Sequence, residues 1–149
     1  MRLEPNLFEG HYFFARFLFV EGRMEEEARS FERAAAVHPD DYQAMALLVQ
    51  VYRSLGEPER AHSSAQKALA RAQRELQRSP ENARAAYPGA IVQVELGRAD
   101  AAREWLSRAL AIEPDDFLTL YNVACTLSLL GDLDQAVEVL TNALPRAHR

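Results

Sequence analysis

Four glycines divide the chain at near-constant intervals. Gly22, Gly56, Gly97 and Gly131 are separated by 56−22=34, 97−56=41 and 131−97=34 residues. Pro5, Pro39, Pro80 and Pro114 keep the same rhythm, with 39−5=34, 80−39=41 and 114−80=34. Two residue types in one period mean that a single structural unit is used several times over. The copy over 97–114 shows what that unit needs. Gly97 suits the left-handed turn that ends one helix and opens the next. Ala102 and Ala109 are small where two helices must approach closely, and Leu106, Leu110 and Ile112 supply apolar contact around them. Pro114 cannot continue the helix but fits the first turn of another. Gly131 is followed by Ala136 and Ala143 at the same offsets, and Gly56 by Ala61 and Ala68; after Gly22 come Ala34 and Pro39, with Glu27 in the first Ala slot.

A 34-residue period with two helices per unit resembles the tetratricopeptide repeat, and the resemblance covers nearly all of the chain. Small residues stand where that family favours them, at Ala15, Val49, Ala90 and Ala124, and large apolar ones at Leu18, Tyr52 and Leu127. The departures are specific. Gln93 holds the place of a third large apolar residue, Gly89 replaces another, His11 takes a position usually held by Trp, and Gln73 stands in the second repeat's Pro slot. The third repeat is weakened most. The fold implied is all-α: a right-handed superhelical solenoid of four antiparallel helix pairs, eight helices and no strand, in a single array over 1–149. The repeats run about 8–41, 42–82, 83–116 and 117–149. Leu3-Glu4-Pro5 matches Ile112-Glu113-Pro114 position for position, so the array reads as a piece of a longer protein.

The helix pairs are expected at about 6–21 with 24–37, 40–54 with 58–78, 80–96 with 99–112, and 115–130 with 133–144. The second repeat carries seven extra residues, 41−34=7. Seven residues are about two helical turns, so the apolar face stays in phase. Residues 68–78 contain no Gly or Pro, and Leu69, Ala72 and Leu76 continue the stripe, which predicts one long helix rather than a loop. Pro88 inside the third pair's first helix removes a backbone hydrogen bond, and Gly89 weakens the same turn. A kink there is either a packing feature or shaped for a ligand. The first helix, with Phe8, Tyr12, Phe13, Phe14, Phe17, Leu18 and Phe19, is apolar almost all round. It meets its own partner and the second repeat, or in part a preceding repeat, a second copy or a ligand.

Composition removes several function classes. A net charge of −5 argues against nucleic acid, whose binders need a basic face. One cysteine excludes an internal disulfide and suits a reducing, cytoplasmic compartment. No apolar run reaches the roughly 20 residues that span a bilayer; no membrane segment is expected. His11, His38, His62 and His148 fall at four different places in the repeat, without metal-ligand spacing. Cys125 lacks a histidine placed to serve as its base. Single glycines in turns form no phosphate-binding loop, and Glu25-Glu26-Glu27 reads as a favourable helix start. No catalytic residue, metal or cofactor is assigned, and the chain is not read as an enzyme.

What the resemblance implies is protein binding in a concave groove lined by the first helix of each pair. Carried onto this sequence, the groove-facing positions include Tyr12, Phe13 and Arg16, then Gln50 and Arg53, then Arg84 and Tyr87, and finally Tyr121 and Asn122. This chemistry of aromatic, Arg and amide groups points to a partner segment with acidic and apolar residues. A Lys/Asn/Arg carboxylate clamp is not present, since Asn122 alone has the right type and place. The apolar ends around Phe8 to Phe19 and Val137 to Leu144 allow association of two copies. A second resemblance, carried by Tyr121-Asn122-Val123-Ala124-Cys125 after Glu113-Pro114-Asp115-Asp116-Phe117 and by the long second-repeat helix, is to the C-terminal repeat region of bacterial multidomain signalling proteins. It implies a regulatory region of a nucleotide cyclase or Ser/Thr kinase whose catalysis lies outside these residues.

Overall fold

The computed structural model describes residues 22–146; the expected first helix, at about 6–21, lies outside them. Within that span the chain forms α1 (Met24–Val37), α2 (Gln43–Ser54), α3 (Pro58–Arg78), α4 (Ala83–Glu95), α5 (Ala99–Ile112), α6 (Phe117–Leu129) and α7 (Leu133–Ala143), followed by a 3-10 turn over Leu144–Arg146. The described residues contain seven α-helices and no strand. They belong to two compact units, Met1–Arg71 and Ala72–Arg149.

The glycine turns explain the helix boundaries. At the end of α4 the Arg98 amide donates to Gln93 O at 2.8 Å and the Gly97 amide to Val94 O at 3.0 Å. This paired closure requires a left-handed residue, and Gly97 has φ 71°. The same two bonds recur after α2, from Glu57 to Tyr52 O and Gly56 to Arg53 O, and after α6, from Asp132 to Leu127 O and Gly131 to Ser128 O. Two of the three described proline turns share a carboxylate cap at the next helix start, and the turn at Pro80 lacks one. Asp41 Oδ2 accepts from the Ala44 amide, and Asp116 Oδ2 accepts from the Thr119 amide, each at 2.8 Å. Each carboxylate satisfies one of the donors that the first helical turn leaves unpaired.

In the first unit α1 packs on α2, and Phe31, Ala34, Leu48 and Val49 are buried. The helix α3 runs 21 residues without a break. Gln73, which replaces the turn-forming proline, sits exposed inside it, and nothing in residues 68–78 stops the helix earlier. Arg71, at the position where α1 and α5 end, donates from Nη1 to Asp41 O at 2.8 Å, tying the helix back to the proline turn before α2.

In the second unit α4 packs on α5, α6 on α7, and α6 also touches α4 and α5. The helix α4 continues through Pro88. The missing Pro88 donor leaves the Arg84 carbonyl without its usual intrahelical partner. The neighbouring glycine has a tertiary reason. A Cβ placed on Gly89 would overlap Cζ3 and Cε3 of Trp105. The indole of α5 thus occupies the space beside Gly89, whereas the corresponding positions 48 and 123 hold Leu48 and Val123. Gln93, in the other irregular slot, is buried, with its Oε1 lacking a hydrogen-bond partner.

Candidate partner-binding surface

The first helices of the last two pairs, α4 and α6, lie in contact. Both belong to the same unit. Arg84 is exposed on α4. On α6, Leu118 and Tyr121 are each 46% exposed, and Cys125 and Ser128 are exposed one and two turns further on. Tyr121 is not loose: its ring stacks on Phe117 with centroids 6.0 Å apart and 26° between the planes. Spacing of i, i+4 makes such a pair possible on one helix. It holds the Tyr121 ring in place while leaving half its surface open.

Asn122 is half-buried, and its Nδ2 donates to Leu118 O at 2.7 Å on the same helix. Part of its hydrogen-bonding capacity is thereby used. Tyr87 is only 8% exposed. Mapping by repeat offset aims it outward, but its surroundings enclose it, so it has little surface to offer a partner. Gln50 and Arg53 are exposed on α2 in the first unit. Tyr12, Phe13 and Arg16 lie outside the described residues. Arg84, Tyr121 and Asn122 thus belong to one unit, and Gln50 with Arg53 to the other.

A further exposed apolar set lies on the last helix. Leu133, Val137 and Leu140 repeat at helical spacing on α7, and Leu144 follows. Leu129 at the end of α6 is also exposed. The spacing makes this set visible in the sequence as an apolar stripe.

One polar cluster was not legible from spacing. In the first unit the Tyr52 hydroxyl donates to Glu32 of α1, and Arg60 of α3 donates to the same Glu32 oxygen at 2.5 Å. The Arg60 guanidinium also lies 4.3 Å from the Tyr52 ring centroid. Burial of the tyrosine, reinforced by its hydrogen bond to Glu32, pushes its pKa upward. The hydroxyl stays protonated and acts as a fixed donor. Each partner sits on a different helix, so only the folded arrangement brings them together.

Among the described residues no group of three His, Cys, Asp or Glu side chains is arranged to hold a metal ion, and no described helix is long and apolar enough to cross a membrane. The chain's sequence has no significant match among curated proteins. In solved structures it is similar to a thermophilic TPR protein of Thermus thermophilus, with TM-score 0.64 and 21% identity over 95% of this chain and 75% of that one. It is also similar to MamA, with TM-score 0.52 and 19% identity over 97% of this chain and 81% of that one. At such identities the likeness is one of fold. Family profiles described as tetratricopeptide repeat match residues 22–72, 61–124 and 119–144. Together with the glycine closures and paired helices, these matches place the chain in the tetratricopeptide-repeat family.

Proposed function

We propose that the chain is a non-catalytic protein-interaction scaffold that binds a partner segment on the exposed faces of its first helices. The observation that carries this reading is the surface of α4 and α6, where exposed Arg84 accompanies a stacked, half-open Tyr121 and an exposed Leu118. Tyr and Arg most often dominate interface energetics, because they join large contact area to directional hydrogen bonds. Arg84 here, and Arg53 with Gln50 on α2, favour a segment with acidic as well as apolar residues. Attraction of that kind weakens as salt rises. Single-cysteine composition supports a cytoplasmic setting. The chain's own part is recognition, and any catalysis belongs to what it binds or to domains joined to it.

The test replaces Arg53 and Arg84 together by Glu and compares partner capture from a lysate of the source organism. Both side chains are exposed, so the variant is expected to fold with unchanged helicity. Loss of specific captured proteins, with greater salt sensitivity for the wild type, supports the reading. An unchanged set of proteins captured by a folded variant removes these faces as the binding site.

A further inference from the structure

A cavity of about 340 Å³ opens among α1, α2 and α3 of the first unit. Its volume is at the small end of the range of ligand pockets. It differs from the proposed partner surface: Met45, Leu48 and Tyr52 line it from α2, whereas Gln50 and Arg53 do not. Its wall divides by chemistry. Ala35, Met45 and Leu48 form an apolar side, while α3 contributes Ser63, Ser64, Lys67 and Arg71 at spacings that share one helix face.

The charges are unequal. Arg60, Lys67 and Arg71 line the cavity with one carboxylate, Glu32, while Glu57 and Asp41 lie beside Arg60 and Arg71 outside the lining, so among the described residues Lys67 is the lining cation without an ion pair. Arg60 is already committed, donating to Glu32 at 2.5 Å and to Glu57 at 2.8 Å. Arg71 is held by its bond to the Asp41 carbonyl. Lys67 is exposed and makes no ion pair among the described residues. Ser64 is buried on the cavity wall, but its hydroxyl oxygen still reaches solvent and makes no hydrogen bond among the described residues. Hydroxyl donors beside two cations, facing an apolar wall, match a particular ligand chemistry. A phosphate monoester carries about −1.5 to −2 charges at neutral pH and three acceptor oxygens.

We propose that this cavity binds a small phosphate monoester with an apolar body. The phosphate meets Ser63, Ser64, Lys67 and Arg71, and the body lies on Ala35, Met45 and Leu48. The site is independent of the partner surface.

The experiment follows the amide resonances of the full chain during titration at constant ionic strength. The probes are phenyl phosphate, inorganic phosphate and benzyl alcohol. Saturable shifts at Ser63, Ser64 and Lys67 are expected with phenyl phosphate, weaker ones with inorganic phosphate, and none with benzyl alcohol. Lys67→Glu should weaken phenyl phosphate at least tenfold, Lys67→Gln by less, and Arg53→Glu not at all. Equal binding by wild type and Lys67→Glu overturns the proposal, as does equal response to benzyl alcohol. A short peptide bearing phosphotyrosine separates two sources of the same group. Binding no tighter than phenyl phosphate supports a small-molecule ligand, and binding more than tenfold tighter overturns that part of the assignment.

Discussion

The third and fourth helix pairs invert the relation between pattern and burial. The third, α4 with α5, departs most from the repeat, with Pro88, Gly89 and Gln93 on one helix, yet its apolar residues are well covered. The fourth, α6 with α7, keeps the small and large residues in place, yet exposes Leu133, Val137, Leu140 and Leu144. Corresponding slots make the contrast direct. Leu106 and Leu140 both lie nine residues after their glycine, 106−97=9 and 140−131=9, but one is 1% exposed and the other 38%. The helix α5 has α4 on one side and α6 on the other, while the main helix contact of α7 among the described residues is α6. Repeat spacing fixes which way a side chain points, and the neighbouring helix decides whether water reaches it.

The strongest test truncates both leucines. Leu106→Ala removes a fully enclosed side chain between two neighbours and should cost about 2–5 kcal/mol. Leu140→Ala gives up less buried area and leaves no enclosed cavity, so it should cost about 1–2 kcal/mol. Urea unfolding of the two variants measures the difference. Equal losses would mean that α7 is covered in solution by something beyond the described contacts, and the contrast would disappear.

A smaller effect probes how the irregular pair compensates for its departures. Gly89→Ala places a methyl group against the Trp105 ring and should destabilise by about 1–3 kcal/mol, although Ala is normally the better helix former. Trp105→Leu should cost packing alone but make Gly89→Ala tolerable. The double-mutant cycle therefore gives a favourable coupling. A variant Gly89→Ala at least as stable as the wild type would show that the indole does not require the glycine.

Gln93 offers a change of opposite sign. Its buried Oε1 lacks a partner, and a buried unsatisfied polar group costs about 1–3 kcal/mol. Gln93→Leu restores the residue type usual in this slot and should stabilise by about 1 kcal/mol, seen as a higher melting midpoint. A lowered midpoint would mean that the amide nitrogen makes a contribution larger than this penalty.

These residues also mark how far the sequence could be read. The glycine closures depend on a few consecutive residues, so Gly56, Gly97 and Gly131 located the helix ends and Gln73 announced the long α3. The pairing of Gly89 with Trp105 is tertiary: their separation of 105−89=16 positions gives no local reason for either residue. Tyr87 shows the same limit in the candidate site. Repeat offset assigns it a direction, but its 8% exposure depends on side chains from elsewhere in the fold. Tyr121, by contrast, is exposed while its ring stacks on Phe117 of its own helix. The Glu32, Tyr52 and Arg60 cluster joins three helices and has no sequence spacing by which to recognise it.

The smallest expected effect concerns the link from the third pair to the turn that opens α7. Arg103 of α5 donates to both oxygens of Asp132, from Nε at 2.7 Å and Nη2 at 3.2 Å. These hydrogen bonds hold the Asp132 carboxyl below its ordinary value of 3.8. A carboxylate with a lowered folded-state pKa gives its full stabilisation above the unfolded value and loses it as pH falls through the folded one. The loss therefore belongs below about pH 3.8. Asp132→Asn should lower stability slightly at neutral pH and flatten the acid-side decline. Asp41 provides a control of opposite sign, because burial raises its pKa despite its hydrogen bond from Ala44. Between 3.8 and that raised value the folded state binds more proton than the unfolded one, so this group makes stability fall as pH rises. Unfolding measured from about pH 2 to 7 separates the two carboxylates. If Asp132→Asn leaves the acid side unchanged, the Arg103 bridge adds nothing to the packing of α5, and burial alone accounts for the difference between the two helix pairs.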